Sequence, residues 1–231
     1  GQHYDTPFFF SSNALKQVGY LTIELKKIYR QQDEQFISLL NQIRENKASE
    51  ETLQALNQRY IPNFVPPKEG NYIRLTTHNA PAQYINEQQL AALPAQAYSF
   101  TAEVEGNFPE SSYPADFKLI LKPGAQVMFI KNDPQHRFYN GMIGEVIGVK
   151  TDENGSKIIV RSKDSGEELE LEKMEWTNAK YTLNEKTKEI EETVEGKFMQ
   201  YPLRLAWAIT IHKSQGLTFE HAIIDASHSF T

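Results

Sequence analysis

A cluster of polar side chains follows an apolar run that begins at Leu203, near the end of the chain. Because apolar and polar residues do not alternate in the run, it is predicted to be a strand buried on both faces, as in a parallel sheet. Ligands of such sheets bind beyond the carboxyl ends of the strands. The polar residues of the cluster are Thr210, His212, Lys213, Ser214, Gln215 and Gly216. Hydroxyls, a cation and an amide suit a phosphate chain, and the glycine permits its close approach, so the cluster predicts a phosphate-handling site.

The segments before this run alternate between predicted strands and helices. Asp33 is expected to cap a helix that carries Phe36, Leu40 and Ile43 on one face, and another helix is expected after Ser49. Strands are predicted at residues 21–25, 72–76, 97–104 and 125–130, with a helix bearing Ala82, Ile85, Leu90 and Leu93 after the second. Prolines and a glycine near residues 62–70 indicate a linker. Repeated strand-then-helix units are typical of an α/β layered core.

Residues 140–200 have a different pattern, with short strands separated by turns. Asn154-Gly155 is a strong hairpin signal, and Ser165-Gly166 is a weaker one. Leu169 and Leu171 alternate with glutamates, as expected for a strand with one wet face. Several such strands in one stretch predict a small barrel inserted between two strands of the core.

Composition limits the functional classes. The 231 residues include no cysteine, which excludes disulfides and thiolate sites and fits a cytoplasmic protein, and the six dispersed histidines suggest no metal site. Interrupted apolar stretches predict no membrane span. A net charge of −6 argues against an autonomous nonspecific nucleic-acid binder. Many of the acidic residues lie between residues 160 and 200, however, so a nucleic-acid groove is expected elsewhere.

Several segments, in order along the chain, resemble motifs of superfamily-one DNA helicases, especially the 5'-to-3' branch of the petite-integration-frequency and RecD-like type. Residues 210–216 (TIHKSQG) are similar to motif V, and residues 25–31 (LKKIYRQ) to motif IV. Residues 75–79 (LTTHN), 121–132 and 140–144 resemble the segments between them. The resemblance runs from about Phe8 to the last residue and depends on motif order more than on any one motif.

The resemblance implies the second RecA-like domain of a helicase, with an inserted SH3-like barrel. Residues 1–139 and 201–231 would form the RecA-like domain, and residues 140–200 the barrel. The chain lacks a phosphate-binding loop of the form Gly-x-x-x-x-Gly-Lys-Ser/Thr. We therefore expect ATP and Mg²⁺ to be bound mainly by a first RecA-like domain, with this chain ending before motif VI and inactive alone. The expected partners are that domain and single-stranded DNA, and the expected state is a monomer.

The resemblance also assigns roles to residues. Arg30 would reach across a cleft to ATP, with Gln215 and Gly216 near the nucleotide. The residues that would contact single-stranded DNA are Thr77, His78, Asn79, Thr210, His212, Lys213 and Ser214. Each assignment also has a purely structural interpretation. Arg30 could be a surface arginine, Asn79 could cap a helix, and the residues after the last strand could form a packed turn.

Other candidates are weaker. Lys131, Asn132 and Asn140 could line a DNA path, but a polar hinge is preferred. The aromatic run Phe8, Phe9 and Phe10 could stack on bases, although a core position is preferred. Two other functions remain open at this point: a non-catalytic interaction module that recruits a partner through the acidic barrel, and an RNA-remodelling relative of the helicases.

Overall fold

A computed structural model describes residues 4–24, 33–67, 70–153, 155–185 and 187–225. The chain forms two compact units, Gly1–Phe64 and Val65–Thr231. In the described part of the chain, no helix is long and apolar enough to cross a membrane.

The first unit contains α1 (Asn13–Gln17), α2 (Glu34–Arg44) and α3 (Glu50–Asn57). The predicted cap at Asp33 and the predicted helix after Ser49 are both confirmed. The Asp33 carboxylate accepts a hydrogen bond from the Phe36 amide at 3.0 Å, and Ser49 forms a capping box with Thr52 at the start of α3. These side chains satisfy backbone amides that a helix leaves without partners in its first turn.

Two predictions for this unit are wrong. Residues 21–24 form no strand, and Leu21 and Ile23 are exposed, so no neighbouring strand covers them there. Phe8, Phe9 and Phe10 are 60%, 80% and 56% exposed rather than in a core. Consecutive residues of the 3₁₀ turn Phe9–Ser11 point in different directions, so the rings cannot enter one core. The rings contact one another instead, with the Phe8 and Phe10 centroids 5.3 Å apart.

The second unit contains a long helix, a short helix and several strands. The helices are α4 (Asn79–Ala92) and α5 (Ile211–Ser214). The strands are β1 (Ile73–Thr76), β2 (Tyr98–Thr101), β3 (Glu103–Gly106), β4 (Lys118–Leu121), β5 (Gln126–Phe129), β6 (Ile143–Asp152), β7 (Gly155–Ser162), β8 (Glu168–Leu171), β9 (Met174–Leu183), β10 (Ile190–Gln200), β11 (Leu203–Leu205), β12 (Ala208–Thr210) and β13 (Ala222–Asp225).

A parallel sheet of order β12-β1-β13 forms the α/β part of the unit. Ile73, Ala208 and Ile209 are almost completely buried in it. The helix α4 directly follows β1, as predicted, and packs against β12 and β1. This parallel sheet confirms the predicted α/β class.

Antiparallel sheets make up the rest of the unit. The largest has the order β11-β5-β6-β7-β8, and the others are β3-β10-β9 and β2-β4. Both hairpin signals are confirmed, because β6 pairs with β7 and β7 pairs with β8. Leu169 and Leu171 are buried while Glu168 and Glu170 are exposed, as the alternation predicts. The main core lies against this sheet and includes Phe129, Val146, Val160 and Leu203.

No sheet of the described residues closes into a barrel: the largest ends at β11 on one side and β8 on the other. The strands β5 and β11, which flank the predicted insertion, also belong to this sheet. The domain divisions at residues 139 and 200 therefore stay a prediction.

The apolar run at Leu203 is two strands rather than the predicted one. The strand β11 pairs antiparallel with β5, whereas β12 pairs parallel with β1. Gln126 lies at the break, where its side-chain amide donates to the Ala206 carbonyl at 2.9 Å and the Tyr72 carbonyl at 3.3 Å. Apart from Arg204, the run is apolar because each half is packed in a different sheet.

Candidate nucleic-acid interface

The carboxyl ends of β1 and β12 lie side by side. The two strands are parallel, and Thr76 is paired with Thr210 in the register. Residues 77–79 follow one strand and residues 211–216 follow the other, so both predicted DNA-contacting segments leave the same edge of the sheet. Parallel sheets bind their ligands at this edge.

At the end of β1, a tight turn leads directly into α4. The Thr76 hydroxyl donates to the His78 carbonyl at 2.9 Å, and the Thr77 hydroxyl lies 2.8 Å from His78 Nδ1. His78, not Asn79, is the N-cap of α4, and its side chain makes no capping hydrogen bond. Capping by Asn79 is therefore wrong, because Asn79 is already the first helical residue. Asn79 is exposed, and Thr77 and His78 are half-buried.

At the end of β12, the two hydroxyls are used within the chain. Thr210 is buried and caps α5, because its hydroxyl oxygen accepts from the Lys213 amide at 3.3 Å. The Ser214 hydroxyl donates to the Ile211 carbonyl at 2.7 Å. His212 and Lys213 are exposed. Of the four residues assigned here to DNA, these two therefore present their side chains most openly.

Gln215 and Gly216 follow α5 and are also exposed. Gly216 has φ +85°, and a Cβ placed on it would meet no atom within 4 Å. Backbone conformation rather than internal packing thus calls for glycine, and the open side leaves room for a ligand. Beyond the glycine, Leu217 is partly buried beside Met128 and Ile209 and anchors the segment.

A groove of about 450 Å³ borders α4 and reaches Lys213. Its lining includes the charged residues Glu87, Asp116, Lys118, Arg204 and Lys213. Sequence reasoning missed Arg204, although a charged residue within an apolar run is a signal that could have found it. The Arg204 guanidinium donates to the Pro114 carbonyl at 3.2 Å.

The electrostatics of the groove couple its two central cations. Burial lowers the pKa of Arg204, and the nearby Asp116 carboxylate partly offsets this effect. Loss of solvent lowers the pKa of Lys213, and repulsion by Arg204 lowers it further, while Asp116 acts in the opposite direction. The carboxylate of Asp116 therefore does not fully offset the effects that disfavour the positive charges of Arg204 and Lys213.

Asn86 joins α4 to the edge strand β12. Its side-chain nitrogen donates to the Ala208 carbonyl at 2.8 Å, and its side-chain oxygen accepts from the Ala208 amide at 2.9 Å. The sequence alone predicts no structural role for Asn86. An amide can satisfy both backbone groups of one residue, so Asn86 replaces the missing neighbour of this edge strand.

The contacts of Lys131, Asn132 and Asn140 fit a polar hinge, which is the interpretation that the sequence favours. The Lys131 ammonium donates to the Glu175 carbonyl and lies 4.8 Å from the centroid of the Trp176 ring. Asn132 accepts a hydrogen bond from the Asn140 amide at 2.8 Å, which closes the loop between them.

Two other expectations concern Arg30 and metal ions. Arg30 lies outside the described residues. Within the described ranges, no group of three or more histidine, aspartate or glutamate side chains is placed to hold a metal ion.

Comparison with known proteins identifies relatives over almost the whole chain. The ATP-dependent DNA helicase Pif1 of Psychrobacter sp. is 32% identical over 282 residues, which cover 100% of this chain and 42% of that protein. The crystal structure of Bacteroides sp. Pif1 in complex with ADP-AlF4 is 37% identical with a TM-score of 0.83, and covers 100% of this chain and 51% of its own. Bacteroides Pif1 bound to single-stranded DNA is 38% identical with a TM-score of 0.64, and covers 99% of this chain and 51% of its own.

No protein-family model matches the chain. The chain spans about half the length of these relatives, as the 42% and 51% coverage shows. The sequence identity and the shared fold both extend over that length. The chain therefore matches the Pif1 family of helicases over its whole length.

Proposed function

We propose that this chain is part of an ATP-dependent DNA helicase, in which the carboxyl edge of its parallel sheet contacts single-stranded DNA. The observation that carries the proposal is the register of β1 and β12, which sets Thr76 beside Thr210. Segments separated by more than a hundred residues thereby leave one edge together. A strand crossing this edge would meet Asn79 from one segment and His212 and Lys213 from the other.

The groups at this edge suit a phosphate backbone. The first amides of α4 have no partners within the helix and carry the positive end of its dipole. A lysine ammonium and histidine nitrogens add donors of the kind that contact phosphate oxygens without reading bases. Thr77 and His78 would shape the turn that leads into α4. The hydroxyls of Thr210 and Ser214, which bond to the backbone, would shape the turn that carries His212 and Lys213.

Net charge limits the affinity of such an interface. The chain carries −6 overall, and the groove beside Lys213 also holds Glu87 and Asp116. We therefore expect weak binding that falls with added salt, because each neutralised phosphate of a single strand contributes a slope of about 0.7 in log affinity against log salt.

The nucleotide half of the proposal concerns Arg30, Gln215 and Gly216. These residues would face ATP and Mg²⁺ held by another RecA-like domain. The open side of Gly216 fits this role, since a ligand could approach its backbone closely. Bound ATP supplies the phosphoryl group whose transfer releases energy. In this chain, the guanidinium of Arg30 would match the charge that develops on the phosphoryl oxygens.

The test is the affinity of the 231-residue chain for a fluorescein-labelled oligothymidylate, measured by anisotropy at low salt. We expect His212→Ala and Lys213→Ala to weaken binding about three- to tenfold each, comparable to the loss of one exposed charged contact. Lys180→Ala is the matched control, because Lys180 is exposed on β9, in another sheet.

Each other outcome points to a different function. An equal loss of affinity in His212→Ala, Lys213→Ala and Lys180→Ala would indicate nonspecific charge effects and contradict the proposed interface. No binding by a folded chain would favour a non-catalytic interaction module. Tighter binding of an oligouridylate than of the oligothymidylate would favour an RNA-remodelling role.

A further inference from the structure

The groove beside α4 extends away from the sheet edge and contains a cation that the helicase-like segments do not include. Arg204 lies in β11, opposite Met128 of β5. Leu203 is buried in the main core, and Leu205 packs against that core and lines the groove together with Arg204. An arginine in this strand is unnecessary for core packing, so its charge calls for another explanation.

The surroundings of Arg204 leave its charge incompletely paired. Its guanidinium donates a hydrogen bond to the neutral carbonyl of Pro114 at 3.2 Å. Among the described residues, no ion pair of 4.0 Å or less joins it to a carboxylate. Asp116 and Glu87 line the same groove, together with the cations Lys118 and Lys213.

We propose that Arg204 and Lys213 together bind one phosphate of the nucleic-acid strand inside this groove. The inference rests on the proposed function, because the strand that crosses His212 and Lys213 is the source of the phosphate. It adds a contact away from the edge: the strand would continue past Lys213 and along α4.

Three features favour a phosphate as the ligand. A guanidinium presents a planar fork of donors that matches two phosphate oxygens, while Lys213 supplies a point charge. The single negative charge of a phosphodiester between the two cations would offset their mutual repulsion. The groove also presents the exposed amides of Asn79 and Gln83, which can donate to further oxygens.

The experiment measures oligothymidylate binding by the 231-residue chain across a series of salt concentrations. Arg204→Met keeps the apolar stem and removes the charge, so we expect about tenfold weaker binding at low salt and a slope of log affinity against log salt smaller by about 0.7. Arg204→Lys retains a charge and should keep the slope while losing part of the affinity. An unchanged slope in folded Arg204→Met would overturn the proposal.

Asp116→Asn provides a second test that does not depend on removing Arg204. Asp116 is exposed, so this change leaves the core intact. Removing the competing carboxylate should tighten oligothymidylate binding about threefold, and unchanged or weaker binding would count against the proposal.

Two patterns of results distinguish a strand contact in the groove from DNA contact at the sheet edge alone and from a nucleotide site. If His212→Ala weakens binding but the Arg204 and Asp116 variants behave like the wild type, the edge contacts DNA and the groove does not. If Arg204→Met leaves DNA binding unchanged but weakens binding of ADP, the groove serves a nucleotide, and the assignment to the strand is overturned.

Discussion

The side-chain amide of Asn86 pairs with both backbone groups of Ala208, donating at 2.8 Å and accepting at 2.9 Å. Ala208 begins β12, the edge strand that ends at Thr210 and leads into the proposed DNA-contacting segment. One helical side chain thus fixes the strand whose end presents His212 and Lys213. Because β12 contains only three residues, this pair of hydrogen bonds is a large part of what holds it.

Asn86→Leu should destabilise the chain, because it leaves the Ala208 amide and carbonyl without these partners. The expected loss in the free energy of unfolding is about 2 kcal/mol, within the range for stranded buried polar groups. Chemical denaturation measures it. Gln83→Leu is the matched control on the same helix, since Gln83 is exposed and its side chain donates to the exposed Glu87. Equal losses for the two variants would contradict this role of Asn86.

Gln200→Leu should be more destabilising still. Gln200 is completely buried, donates to the carbonyls of Phe100 at 3.0 Å and Asp116 at 3.2 Å, and accepts from the Tyr201 amide at 3.0 Å. Leucine removes all of these hydrogen bonds at once, so we expect a loss of about 3 kcal/mol or more. Thermal or urea unfolding measures it, with exposed Gln89→Leu as the control. A loss near zero would show that the Gln200 hydrogen bonds contribute little.

Gly141→Ala should disturb the segment after α5. Gly141 has φ +98°, and an added Cβ would lie 2.6 Å from a methyl of Leu217, which anchors the chain just beyond Gly216. We expect a loss of about 1–3 kcal/mol from backbone strain, together with weaker DNA binding. Gly148→Ala is the control, because its Cβ would meet no atom within 4 Å and its φ is not positive. Equal stability of the two variants would contradict the role of this contact.

Asp133 should make the free energy of unfolding depend on pH in the acidic range. Hydrogen bonds from Arg137, at 2.7 Å and 3.2 Å, hold the pKa of this carboxyl below its ordinary value of 3.8. A group with a lowered folded pKa stabilises the fold above its unfolded pKa, and that contribution disappears as the pH falls through the folded pKa. The difference in unfolding free energy between wild type and Asp133→Asn should therefore be constant at neutral pH and shrink below the ordinary value of 3.8. A difference that grows with acid would contradict the assignment, and exposed Glu153→Gln is the control.

The sequence predicts those parts of the molecule that local chemistry determines. Asp33 and Ser49 reveal helix starts, because a capping side chain acts within a few residues of its own position. The edge where β1 and β12 meet is also predictable, since parallel strands place their carboxyl ends together. The alternation at Leu169 and Leu171 indicates one buried face for the same local reason.

What sequence reasoning misses depends on distant partners. The run from Leu203 is apolar except for Arg204, and only pairing with β5 and β1 reveals that it is divided between two sheets. Phe8, Phe9 and Phe10 are as apolar as core residues, yet each of them is more than half exposed. Asn86 acquires its role only from β12, far along the chain, which no local pattern encodes. Arg204 is recognisable in the sequence as a charge within an apolar run, but only the fold reveals the groove that it lines.

The most direct test of the central claim is hydrogen–deuterium exchange of the 231-residue chain with and without an oligothymidylate at low salt. We expect slower exchange on DNA binding in two separate segments, residues 76–80 and 210–216, which leave the sheet at one edge. Protection in neither segment, with DNA bound and exchange slowed elsewhere, would contradict it.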